Sequence, residues 1–314
     1  MNKTKIVGFA ALAGAAYFAG LYAFFRKNLG RCDKFPNLYS EKDLKKFNVP
    51  EKNLGQMRKG SRFVSEHTTE EVYIRSFDGL RLYARIVENP NPTGTVIFFH
   101  GFRSCTDFDF SVVFEDYYKR GYNLICVTQR AHGKSEGKFI SMGIYERYDC
   151  KSWAEYAAKR FGKDSPIILE GLSMGASTVL MASDLPMPEN VKGIIADCGY
   201  TTPDDIFLHV GRDIYGLPPF PFMTTFRRYF RHFIHANTTD ASSIESLKRT
   251  KLPVLLIHGK ADDFVPYSMS EENDAACASR HAFVFVDGAG HGQSYLFDRE
   301  KCDKALEEFL ESLK

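Results

Sequence analysis

Six short, largely apolar runs punctuate the second two-thirds of the chain: Thr95 to Phe99, Tyr122 to Val127, Pro166 to Leu169, Val191 to Ala196, Leu252 to Ile257 and Ala282 to Val286. Runs of this kind suit strands buried on both faces, the situation of a parallel sheet. Between them lie helix-period stretches, notably Tyr145 to Phe161, Met174 to Ser183 and Lys301 to Leu313. Strand and helix therefore alternate as in an α/β sheet. Upstream, Glu71 to Phe77 and Leu80 to Val87 alternate apolar and polar residues and meet at Asp78-Gly79, a strong hairpin signal. The expected architecture is a mostly parallel eight-stranded sheet flanked by helices. The connection from Cys198 to Leu252 is too long for a simple crossover, and a short helical cap, at about 200–248, is expected after the sixth strand.

At 314 residues and 44% hydrophobic content the chain can bury a sizeable core. Lysine and arginine total 41 against 39 aspartates and glutamates, so no overall field recruits nucleic acid. The seven cysteines are scattered, with no Cys-x-x-Cys spacing, which points to neither a disulfide framework nor a zinc site. No ligand cluster calls for a metal or an organic cofactor.

Ile6 to Phe25 carries no charge over about the length a helix needs to cross hydrocarbon. The run is long for the apolar part of a cleaved signal peptide, so it reads as an N-terminal transmembrane helix and single-pass membrane anchor. Arg26, Lys27, Arg31 and Lys34 slightly outweigh Lys3, Lys5 and the amino group, which favours a cytoplasmic folded domain. The organisation expected is an anchor at 1–25, a lysine-rich juxtamembrane spacer at 26–65 broken by Pro36 and Pro50, and a folded domain at 66–314.

Gly171-Leu172-Ser173-Met174-Gly175 follows a strand and precedes an alanine-containing helix, the setting of a nucleophile elbow. Glycines two before and two after the serine leave room for a strained strand-to-helix turn. The serine oxygen then stands at the amino end of a helix, whose dipole favours developing negative charge.

With this elbow the chain resembles the α/β-hydrolase superfamily, from about Glu71 to the carboxyl terminus. His100-Gly101-Phe102 is similar to the family's oxyanion loop. The resemblance implies that the backbone amides of Phe102 and Met174 form the oxyanion hole. His258-Gly259-Lys260-Ala261-Asp262 is similar to the acid-bearing loop and makes Asp262 the carboxylate, its neighbour Asp263 pointing another way. Gly288-Ala289-Gly290-His291-Gly292 supplies the histidine. The chain order Ser173, Asp262, His291 is that of this superfamily. The set looks closest to bacterial hydrolases of the monoacylglycerol lipase and cinnamoyl esterase kind.

The expected cap is rich in aromatic residues, and Phe222, Phe226, Tyr229, Phe230 and Phe233 fall near one helical face. Phe222, Phe226 and Phe230 are the candidates for contact with an apolar or lipid-like acyl group. The expected function is hydrolysis of carboxylic esters through a Ser-His-Asp triad and an acyl-enzyme. Prolyl-type peptidase, thioesterase and acyltransferase activity use the same residues, and a non-catalytic membrane-tethered binding protein is the remaining class. The expected partners are a small ester or lipid substrate and the membrane.

Overall fold

The computed structural model describes residues 3–47 and 49–314. The apolar runs become strands because both of their faces can be covered. In β3 (Gly94–Phe99), Val96, Ile97, Phe98 and Phe99 are all buried. The others are β1 (Glu70–Arg75), β2 (Arg81–Val87), β4 (Tyr122–Thr128), β5 (Ile167–Leu172), β6 (Val191–Asp197), β7 (Val254–Gly259) and β8 (His281–Val286). They form one sheet in the order β1-β2-β4-β3-β5-β6-β7-β8. β1 pairs antiparallel with β2, and β2 antiparallel with β4, while every other pair is parallel. The expected sheet and its antiparallel start are both present.

Alternation along the buried strands sends residues to two different cores. Ile97, Leu169, Ile194 and Leu256 pack on one side with Trp153 and Val179 of the helices Glu146–Phe161 and Met174–Ala182. Phe98, Ile168, Ile195 and Leu255 pack on the other with Tyr117, Leu306 and Phe309 of the helices Phe114–Lys119 and Arg299–Ser312. The stretch from 26 to 65 carries the helices Glu41–Lys46 and Leu54–His67, and Leu38, Met57 and Val64 are buried in this second core.

A third cluster lies above the carboxyl ends of the strands. It joins the insertion after β6, whose main helix is Pro219–Ile234, to the N-terminal helix Lys3–Leu29. The expected anchor is corrected here. Among the described residues no helix is long and apolar enough to cross a membrane. Met1 and Asn2 lie outside those residues. The physical reason is visible in the last turns of the N-terminal helix, where Leu21, Phe25 and Leu29, four residues apart, form a stripe buried against protein. Phe25 meets the rings of Phe226, Tyr229 and Phe233, and the Tyr229 hydroxyl donates to the Phe18 carbonyl at 2.9 Å. The transmembrane helix, the single-pass location and the orientation drawn from flanking charges therefore have no span to rest on.

Candidate active site

β5 ends in a turn that only its glycines permit. A Cβ on Gly171 would lie 2.2 Å from the Gly175 carbonyl oxygen, and one on Gly175 would lie 1.8 Å from that of Phe99. Between them Ser173 takes φ 56°, ψ −116°, a strained conformation for a residue with a side chain. The Ser173 amide donates to the Asp197 carbonyl at 2.8 Å, tying the turn to the end of β6. Its hydroxyl is thereby held above the sheet at the start of the helix Met174–Ala182.

The three residues singled out in sequence meet. His291 Nδ1 donates to Asp262 Oδ2 at 2.8 Å, which leaves Nε2 to accept from the Ser173 hydroxyl at 2.9 Å. Asp262 Oδ1 accepts from the amides of Phe264 and Val265, both at 2.9 Å, so its loop fixes the carboxylate plane. Asp263 is exposed, and no hydrogen bond among the described residues joins its carboxylate to His291. Burial disfavours charge on Asp262, but His291 and His258 outweigh it and hold the carboxyl well below its usual range. Burial pulls His291 down, while Asp262, with Asp197 and Asp109, raises its pKa above the ordinary 6.5.

In sequence His258 stands only as part of a loop motif. It is the second histidine on the acid: its Nε2 faces Asp262 Oδ2 at 3.1 Å and the Val265 carbonyl at 3.0 Å, and its Nδ1 lies 2.5 Å from the Ser270 hydroxyl. Two acceptors at Nε2 require a proton there, and the Ser270 hydroxyl is the partner left to Nδ1.

The loop after β3 is pinned from three sides. Asp109 accepts from the Gly101 amide and the Ser104 hydroxyl, both at 2.6 Å, and desolvation still pushes its carboxyl up to about 6. Buried His100 accepts from the Gln129 amide at 3.1 Å and donates to the Gly101 carbonyl at 2.8 Å; burial holds its pKa near 4, so it is neutral. Arg103 donates to the Asn28 and Gly30 carbonyls, both at 3.1 Å, joining the loop to the end of the N-terminal helix. The amides of Phe102 and Met174 make no hydrogen bond among the described residues.

Ser173 and His291 open into a cavity of ≈ 840 Å³. Phe222 and Phe226 line it, together with Phe207 of the cap and Phe24 of the N-terminal helix. Phe230 does not line it; it is fully buried behind that wall against Phe207. Among the described residues one cluster has metal-ligating types close together, Cys198, Asp262 and His291, with atoms within 4.8 Å. Asp262 and His291 spend those atoms on each other, and burial pushes the Cys198 thiol far above its usual range, so it stays protonated.

Residues 90–215 match the family described as Hydrolase_4, serine aminopeptidase S33, and residues 232–314 match Abhydrolase_4, TAP-like protein. The chain belongs to the α/β-hydrolase superfamily. An α/β-hydrolase of this shape has a solved counterpart in the Pyrococcus furiosus esterase Pf2001, at TM-score 0.65 and 21% identity over 90% of this chain and 99% of that one. Est1E from Butyrivibrio proteoclasticus, solved with ferulic acid bound, is similar at TM-score 0.59 and 21% identity over 76% of this chain and 98% of that one. Likeness at that identity shows the fold alone. Among curated sequences, the uncharacterized protein YqkD of Bacillus subtilis is 27% identical over 193 residues. That match covers 62% of this chain and 63% of YqkD, so this α/β-hydrolase spans somewhat under two-thirds of its relative's length.

Proposed function

We propose that the protein is a serine esterase acting on carboxylic esters with an apolar acyl group. The observation that carries the reading is the hydrogen-bonded series from Ser173 through His291 to Asp262, facing a largely apolar cavity. Ser173 Oγ attacks the ester carbonyl while His291 Nε2 takes its proton, and Asp262 keeps the imidazole in the required tautomer and stabilises the imidazolium. The oxygen gains negative charge in the tetrahedral intermediate, where the free amides of Phe102 and Met174 receive it; losing one such donor typically costs about 3 to 4 kcal/mol. His291 then protonates the leaving alcohol. Water repeats the sequence on the acyl-enzyme and regenerates Ser173.

Peptide-bond cleavage is the second reading, supported by the description of the family that matches residues 90–215. Hydrolysis of p-nitrophenyl esters of graded chain length, run beside aminoacyl anilides, separates the two. Ser173→Ala is expected to lower kcat by at least about a thousandfold on either substrate while leaving the melting temperature near wild type. Undiminished turnover in that variant would sink the mechanism.

A further inference from the structure

Along β7, Val254, Leu256 and His258 share one side of the strand, since alternate residues point the same way. The first two belong to an apolar core, and His258 ends the series with a fully buried imidazole. It does not line the cavity, so no substrate reaches it. Burying an imidazole is costly unless its nitrogens are paired. Both are: Nδ1 with Ser270 of the helix Tyr267–Ala276, and Nε2 with the Val265 carbonyl and the acid Asp262.

That last contact falls on a particular oxygen. Asp262 Oδ1 takes the amides of Phe264 and Val265, both at 2.9 Å, while Oδ2 takes His291 Nδ1 at 2.8 Å and His258 Nε2 at 3.1 Å. A carboxylate has about four lone-pair sites, and here each has a donor. The two amides already fix the carboxylate plane, so its aim does not depend on His258. What His258 adds is a second N–H on the one oxygen that His291 uses.

We propose that His258 is a positioning residue acting through Asp262: by drawing on the oxygen that holds His291, it keeps His291 neutral, and able to take the Ser173 proton, at lower pH than Asp262 alone allows. This deepens the esterase reading and rests on it. A carboxylate that donates less of its charge to an imidazolium stabilises that imidazolium less. The need for such a brake is visible around His291. Asp262, Asp197 at the end of β6 and Asp109 on the loop after β3 all favour its charged form, and burial opposes them. A general base held too far above the working pH stays protonated and idle. The remaining titratable neighbours are Cys198, which stays protonated, and Tyr267, whose ring lies edge-on to His258 at 5.8 Å and whose pKa burial raises. Neither supplies a charge that replaces the His258 N–H. The direction is the same whichever form Nδ1 takes against Ser270, because a second proton on the ring withdraws more from Oδ2.

Two substitutions separate this effect from packing. In His258→Gln the side-chain amide nitrogen falls near the place of Nε2 and still donates to Asp262. In His258→Asn it falls near the place of Nδ1 and leaves Oδ2 to His291. The test measures kcat/KM for p-nitrophenyl butyrate against pH in the full chain and both variants, beside the imidazole titration of His291 by NMR on protein labelled with ¹⁵N-histidine. His258→Asn is expected to move the acid limb and the His291 midpoint up by about one pH unit, a tenfold loss of kcat/KM on the acid side. His258→Gln is expected to leave both near wild type. An unmoved midpoint in folded His258→Asn means that His258 only packs, and overturns the proposal; a downward move overturns it too. So does a full-unit shift in His258→Gln. If His258→Asn does not fold, the wild-type spectra and His258→Gln still decide: the His258 Nε2 must carry its proton throughout the titration of His291, and a bare Nε2 there overturns the assignment. Failure to hydrolyse any ester is a separate result, which removes the esterase reading while the His291 midpoints still show whether His258 sets them.

Discussion

At the scale of single residues, the electrostatics of the site rest on Asp262 having two histidines rather than one. In the proposed mechanism His291 must be neutral to accept the Ser173 proton, and its pKa lies above the ordinary 6.5 because Asp262 overcomes the effect of burial. The acid limb of kcat/KM is therefore expected to centre above pH 6.5, with activity lost as pH falls through it. Asp262→Asn removes the stabilising charge, so the limb moves to lower pH, and kcat drops by about four orders of magnitude as the tautomer is no longer enforced. Measuring both pH profiles checks this; an unchanged limb in the variant would mean that some other group sets it. In sequence, Ser173, Asp262 and His291 were legible because each sits in a glycine-marked turn after a strand. His258 was not, because its function on Asp262 depends on the loop folding back four residues later to bring the carboxylate within 3.1 Å.

At the scale of elements, the N-terminal helix carries the main difference between sequence and structure. Its charge-free length matched a membrane span, but length without charge does not distinguish a helix facing lipid from one facing protein. The stripe of Leu21, Phe25 and Leu29 and the matching aromatics of the Pro219–Ile234 helix settle the question by packing together. Phe25 is fully buried, so Phe25→Ala is expected to lower stability by roughly 3 to 5 kcal/mol in denaturant titration. A loss under about 1 kcal/mol would show that this contact is not maintained in solution. Because Arg103 ties the loop after β3 to carbonyls at 28 and 30, removing residues 1–30 strips two of that loop's supports as well as a wall of the cavity.

At the scale of the whole molecule, the buried acids behind the sheet make stability depend on pH in an unusual direction. Glu170 has a folded-state pKa of about 8, above the ordinary 4.5. The folded state thus retains a proton that the unfolded chain releases. This contribution is fully present below about pH 4.5 and is lost as pH rises through about 8. Glu170→Gln cannot release a proton, so the gap between its melting temperature and that of the wild type is expected to shift in the variant's favour from pH 5 to pH 8.5. A gap that stays constant across that range would mean that Glu170 is ionised throughout. Asp197 and Asp109, both raised to about 6 by burial, act in the same sense over a lower window and remain in the variant.

The strands, their mostly parallel character, the glycine-flanked serine turn and the chain order of serine, aspartate and histidine were all readable from sequence alone, because each depends on local pattern: apolar runs, glycines flanking a strained serine, loops ending strands; the order of the strands in the sheet was not. What covers the apolar N-terminal helix, which cap aromatics reach the cavity, and where Glu170 points were decided only in the tertiary structure. Phe226 and Phe230 share a helical face, yet one lines the cavity and the other packs behind it, since Phe207 comes between. Glu170 alternates to the same side of the sheet as Ile168 and Leu172, and its environment depends on Tyr117 and Tyr295, brought in from distant helices. Periodicity reports which side a residue faces; only packing reports what it meets there.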